Sequence, residues 1–180
     1  MDWIQLKDKQ FEVLISEENL LRKIGQIAEQ LNKDLKDKDP VFICVLNGAF
    51  MFATELFGRF HSTGEIAFIR LKSYEKMCRD SKIKEIHGLD KDIEGRHVVV
   101  VEDIIDTGHT MNHLLSVLNE KNPISIRIAT LLFKPTALQL DIKPDYVVAE
   151  IPNDFVVGFG LDYDEHGRNL RNIYKVVDKY

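Results

Sequence analysis

The chain has 180 residues, of which 44% are hydrophobic and 29% charged, with a formal net charge of −5. That length suits one domain with a substantial core, and the composition excludes a disordered chain. The acid excess gives no global electrostatic case for binding nucleic acid, so any anionic ligand must be held by local groups.

The first ten residues, MDWIQLKDKQ, have no basic region followed by an apolar run, so no signal peptide is expected. Ser16 can cap a helix whose first turn carries Glu17 and Glu18, and Leu20, Ile24, Ile27 and Leu31 then form one apolar stripe. Lysine- and aspartate-rich residues 32–39 and Pro40 end it. The solid run Val41-Phe-Ile-Cys-Val-Leu46 stops at Asn47-Gly48, too short for a helix, and reads as a strand buried on both faces. Residues 49–60 are predicted helical and 65–72 a strand; Ser73 to Gly88 is charged and unpatterned and reads as a long loop or lid. Val98–Val101 is the next strand, Met111, Leu114, Leu115 and Leu118 mark a helix, and 124–133 and 146–149 are again strands.

Strands alternating with helices predict an α/β fold with a mostly parallel central sheet flanked by helices. The rhythm breaks from about residue 151, so the N-terminal residues and the tail are expected to form a small cap over one end of the sheet. No run approaches the roughly 20 apolar residues of a membrane span. Cys44 and Cys78 show no CxxC spacing, which argues against a zinc site or disulfide framework and for a reducing, cytoplasmic compartment. Neither nucleic acid nor membrane is expected as a partner.

The most informative stretch is VVVVEDIIDTGHT, residues 98–110. Ligands of parallel α/β sheets bind outside the carboxyl ends of strands, where Glu102 and Asp103 are expected, exposed at the end of Val98–Val101. Asp106-Thr107-Gly108-His109-Thr110 then turns into a helix. Gly108 permits unusual dihedrals, and successive N–H groups at a helix start form an anion nest. Two threonine hydroxyls complete a phosphate cup without a lysine. Acids beside such a cup would repel a bare phosphate, but sugar hydroxyls or Mg²⁺ between them remove the conflict, and a ribose 5-phosphate meets both demands. The plain alternative is a capping aspartate followed by a solvated acidic turn; the four valines and the acidic pair in front of it weigh against that.

This segment resembles the phosphoribosyl-pyrophosphate (PRPP) binding motif of type I phosphoribosyltransferases: four aliphatics, two acids, a spacer, then acid-Thr-Gly-x-Thr. From about residue 10 onward the chain is similar to the hypoxanthine (hypoxanthine-guanine) branch of that family, through VLNGAFMF (45–52), LKSYE (71–75), LLFKP (131–135) and DFVVGFGLDYDEHGRNL (154–170). The resemblance implies a type I phosphoribosyltransferase fold in one domain, 1–180, with a core of about 16–150 and a hood from about 1–15 and 151–180. It implies purine salvage: transfer of the 5-phosphoribosyl group from PRPP to hypoxanthine or guanine with Mg²⁺, in a homodimer or homotetramer.

By the same resemblance, Glu102 and Asp103 hold the ribose hydroxyls, directly or through Mg²⁺. Residues 106–110 cradle the 5-phosphate, with only a backbone contact from His109, and Asp106 is the general base at purine N7. Lys134 donates to the 6-oxo group, Phe155 stacks on the ring, and Val156 offers backbone groups to the base edge. Asp162 flanks the base and helps hold a second Mg²⁺, while Arg168 binds pyrophosphate. Asn47 and Gly48 match a pyrophosphate loop that often carries a non-proline cis peptide, and Ser73 and Tyr74 match a flexible loop that closes over the reactants. Many relatives place lysine where this chain has Asn47, which leaves that side chain without an assigned role. A xanthine-preferring transferase, a PRPP-fold regulatory RNA-binding protein and a catalytically dead interaction module are the competing readings. The RNA binder calls for a basic face that this acidic chain lacks, and the dead module is at odds with the retention of Asp106, Lys134, Asp162 and Arg168.

Overall fold

Ser16 stops the preceding strand and starts α1 (Glu17–Asp34): its hydroxyl accepts a hydrogen bond from the Asn19 amide at 3.4 Å, and Glu17 and Glu18 sit in the positive first turn. Leu20, Ile24, Ala28 and Leu31 form the buried face of this helix, while Ile27, expected in that stripe, is only partly covered. The computed structural model describes residues 3–73 and 83–177. Among them, no helix is long and apolar enough to cross a membrane.

After α1 come β3 (Val41–Leu46), α2 (Phe50–Phe57), β4 (Glu65–Ser73), β5 (Ile83–His87), β6 (His97–Ile105), α3 (His109–Asn119), β7 (Ser125–Phe133) and β8 (Tyr146–Glu150). They build a six-stranded sheet in the order β5-β4-β3-β6-β7-β8, parallel except for the antiparallel edge strand β5. Alternate residues of the central strands reach opposite faces. Phe42, Cys44, Val99 and Val101 pack with α1 and α2, whereas Val41, Ile43, Val98 and Val100 pack with α3. Burial on both faces is why these strands read as unbroken apolar runs.

Two expectations need correction. The stretch 73–88 is not loop throughout: β5 pairs Ile86 and His87 with Leu71 and Arg70, an edge strand whose mixed charged sequence gave no alternation to read. Nor does β6 stop at Val101. Glu102, Ile104 and Ile105 pair with Thr130, Leu132 and Phe133, so the acids lie within the strand, with Glu102 buried and Asp103 half-buried. A fully buried valine contributes about 1.5–3 kcal/mol, and an ion removed from water costs several. The buried valines before it and the Ile104–Ile105 pairing beyond hold Glu102 within the strand.

Chain order reverses between β3 and β6, since β3 leads through α2 to β4 and β6 leads through α3 to β7. Such a reversal opens a crevice at the strands' carboxyl ends. Over that end lies an antiparallel hood sheet with the order β1-β2-β10-β9, made from β1 (Trp3–Leu6), β2 (Lys9–Ile15), β9 (Val156–Val157) and β10 (Ile173–Val176). Phe11, Val157 and Tyr174 form its own small core.

Candidate active site

A cavity of about 360 Å³ occupies the crevice between β3 and β6. Its walls are the end of β3 and the turn after it (Val45–Gly48), the end of β6 with its following turn (Glu102–Gly108), the start of α3 (Thr110, Met111), Leu71 of β4, and Arg168 from the hood. Sequence positions more than 120 apart therefore meet in one space.

Glu102 and Asp103 form its floor. Burial, and then the adjacent Asp103 charge, raise the Glu102 carboxyl well above its ordinary value of 4.5. Asp103 is raised too, chiefly by burial, with Arg168 and the Ile104 amide, which donates at 2.7 Å, pulling the other way. Such a pair is short of positive charge. Among the described residues no group of three or more His, Cys, Asp or Glu could cage a metal. Two carboxylates facing an open cavity suit Mg²⁺, which binds through one or two carboxylates together with substrate phosphates and water.

The turn behind them enters α3 through a left-handed glycine, a backbone in which successive N–H groups can face an anion. Gly108 is left-handed, with φ 88°, and caps α3; its carbonyl accepts from the Asn112 amide at 2.9 Å. Thr107 and Thr110 flank it, and His109 Nε2 lies 3.1 Å from Gln139 Oε1. Lys134 is buried, 7% exposed, and its ammonium donates to Asp106 Oδ2 at 3.0 Å. The Lys134 amide, bonded to the Ile105 carbonyl at 3.0 Å, holds the lysine beside the turn.

The turn after β3 contains a cis peptide between Leu46 and Asn47. A β-carbon on Gly48 would overlap the Asp103 carboxylate, and one on Gly160 would overlap the Gly48 carbonyl, so glycine is required at both contacts. Asn47 turns its side-chain oxygen to Arg70, which donates from Nη2 at 2.7 Å.

The hood supplies the remaining residues. Arg168 donates to the Gly160 carbonyl at 2.9 Å and pairs with Asp162 Oδ1 at 2.8 Å, while Asp162 Oδ2 accepts from the Glu165 amide at 2.8 Å. Phe155 is 46% exposed, edge-on to Tyr163 with ring centroids 5.8 Å apart, and Val156 is buried in β9. Ser73 ends β4 opposite Ile83; Tyr74 lies outside the described residues. Of the expected positions, Asn47, Gly48, Glu102, Asp103, Asp106, Thr107, Gly108, Thr110 and Arg168 line the cavity. Lys134 and Asp162 touch it through Asp106 and Arg168, and Phe155 and Val156 belong to the hood. Arg70, Gln139 and Gly160 were not foreseen; only Gly160, in the glycine-spaced GFG, left a trace in the sequence.

Comparison with known proteins agrees with this geometry. A family model described as phosphoribosyl transferase domain matches residues 14–164. The chain is 42% identical over 159 residues to a hypoxanthine-guanine phosphoribosyltransferase of Streptococcus thermophilus, covering 88% of each. It is 38% identical to the hypoxanthine phosphoribosyltransferase of Haemophilus influenzae over 96% of this chain and 98% of that one. A solved hypoxanthine phosphoribosyltransferase from Staphylococcus aureus superposes with a TM-score of 0.85 at 35% identity, covering 92% of this chain and 91% of that one. A crevice at the β3–β6 reversal, a buried acidic pair, a left-handed glycine turn at a helix start and likeness of this degree over most of the chain make it a member of the phosphoribosyltransferase family, on its hypoxanthine-guanine branch.

Proposed function

We propose that this protein moves the 5-phosphoribosyl group from PRPP to N9 of hypoxanthine, and of guanine, giving IMP or GMP and pyrophosphate. The observation that carries the purine half of this reading is the Lys134–Asp106 pair, 3.0 Å apart at the edge of the cavity. A 6-oxopurine presents O6 and N7 side by side on one edge. A lysine donor beside a carboxylate acceptor matches that edge when N7 carries a proton, with O6 to Lys134 and N7–H to Asp106. Adenine offers an amino group where Lys134 needs an acceptor, and a buried donor left unpaired is the stronger form of discrimination.

In this reading the 5-phosphate occupies the nest of residues 106–110, and Glu102 and Asp103 hold the 2′- and 3′-hydroxyls. Arg168 faces the pyrophosphate, and the 47–48 turn lies along it. As the C1′–pyrophosphate bond lengthens, negative charge grows on the leaving group, where Arg168 is already held by Gly160 and Asp162. Asp106 accepts the N7 proton as N9 bonds to C1′. Phe155 stacks on the ring and Val156 contributes backbone groups at its edge. Mg²⁺ held by Glu102 and Asp103, with a second ion near Asp162, would neutralise leaving-group charge. Both Asp162 oxygens are engaged within the hood, so its part is to orient Arg168 as well as to bind a metal. Core and hood act as one domain. The family likeness suggests a homodimer or homotetramer, and the exposed rings of Phe50 and Phe68 leave apolar surface for it.

Incubation with PRPP, Mg²⁺ and each of hypoxanthine, guanine, xanthine and adenine tests the reading. Nucleotide is expected from the first two and none from adenine. No product with any base would remove the activity, and a maximum with xanthine would move the protein to the xanthine-preferring group.

A further inference from the structure

One segment grips four consecutive residues of the nest from outside. Between β7 and β8 the chain runs from Lys134 through a turn, in which the Ala137 amide bonds the Lys134 carbonyl at 3.1 Å, to Ile142. Lys134 holds Asp106. The Gln139 amide donates to the Thr107 carbonyl at 3.1 Å. Leu138 and Ile142 press on Gly108, each placing a methyl 3.0 Å from where a β-carbon would lie. Gln139 Oε1 meets His109 Nε2 at 3.1 Å, and since a carbonyl oxygen only accepts, the imidazole N–H is the donor.

From this we infer that Gln139 is a positioning residue for the 5-phosphate end of the substrate, acting through Thr107 and His109. The inference deepens the proposed function and rests on it. Orienting successive N–H groups at one point requires their peptide planes to be fixed. Thr107 and His109 flank Gly108, whose left-handed backbone has no β-carbon to restrict it. Gln139 ties both neighbours, one through its backbone and the other through its side chain. The two connections span about thirty residues of sequence, so the strand–turn–helix alone does not supply this rigidity. Gln139 is itself exposed, so truncating it leaves the core intact. None of its hydrogen bonds goes to the floor acids, Arg168 or the 46–48 turn.

The test compares ligands that share only one end. In Gln139→Ala, the dissociation constant of IMP and the KM for PRPP should rise roughly three- to tenfold, the scale of one lost hydrogen bond. The affinity for pyrophosphate, kcat and the KM for hypoxanthine should stay within about twofold, which is scatter on that scale. Because alanine keeps the amide that bonds Thr107, the further effect of Gln139→Ala should vanish in a His109→Ala background. Equal loss of pyrophosphate and IMP affinity would mean a general structural role and overturn the inference, as would unchanged IMP affinity. Failure of the wild type to bind IMP or turn over PRPP would instead remove the proposed function beneath it.

Discussion

Lys134 and Asp106 stand 3.0 Å apart, the lysine buried and the aspartate half open to the cavity. In the proposed reading the pair stands in for the purine edge, each residue keeping a partner in the free protein. If Asp106 takes the N7 proton, Asp106→Asn keeps the shape and a partner for Lys134 but loses the basicity. The expected result is a fall in kcat of about 10²- to 10⁴-fold, with a change in PRPP KM no larger than about threefold, under one hydrogen bond's worth. Steady-state kinetics with hypoxanthine decide it; undiminished turnover would remove Asp106 as the base.

Lys134→Ala removes the proposed donor to O6 and leaves Asp106 hydrated, because its side chain is 45% exposed. Hydrogen bonds to charged groups are worth about 1.5–3 kcal/mol, so hypoxanthine KM should rise roughly 10- to 100-fold. Discrimination against adenine should shrink with it. Competition between labelled hypoxanthine and adenine reads both effects; intact discrimination would place selectivity elsewhere in the pocket.

The local parts of this site were legible in the chain and the long-range parts were not. Residues 98–110 announce strand, acids and nest because all three are consecutive, and the valine run signals burial on both faces. Burial of Glu102 was missed although Ile104 and Ile105 follow it: the acids looked like a strand end, and only pairing with Thr130 and Leu132 shows the strand continuing. β5 was unreadable because an edge strand needs little apolar surface. Arg70 and Gln139 act across 23 and 30 residues respectively on a loop they support, a relationship that lives in register and not in any local pattern.

Glu102 gives the unliganded protein a specific response to pH. Its carboxyl is raised above 4.5 by burial and by Asp103, so folding favours the protonated form. The stability contributed this way is complete below the unfolded-state value and is lost as pH rises through the folded one. Glu102→Gln, neutral at every pH, should therefore have a higher Tm than the wild type at pH 8. The difference should shrink towards pH 4. Thermal melts across that range measure it. A variant less stable than wild type at pH 8 would show that the carboxylate is already compensated in the free protein.

Asn47 acquires through Arg70 the role that its sequence left open. β3 and β4 are in register there, Leu46 opposite Arg70, so the guanidinium lies alongside the turn and clasps the amide oxygen at 2.7 Å. Both residues are exposed, which limits the bond to a modest contribution, but it holds the turn whose Gly48 backs directly onto Asp103. Asn47→Ala and Arg70→Gln should each weaken pyrophosphate and PRPP binding roughly threefold, about the lower end of one hydrogen bond, and leave IMP affinity unchanged. Because one bond is lost in either case, the double variant should be no worse than the single ones. Additive losses would mean that Arg70 reaches pyrophosphate by itself, and a loss of IMP affinity of the same size would mean that the whole crevice, and not its pyrophosphate end, depends on the contact.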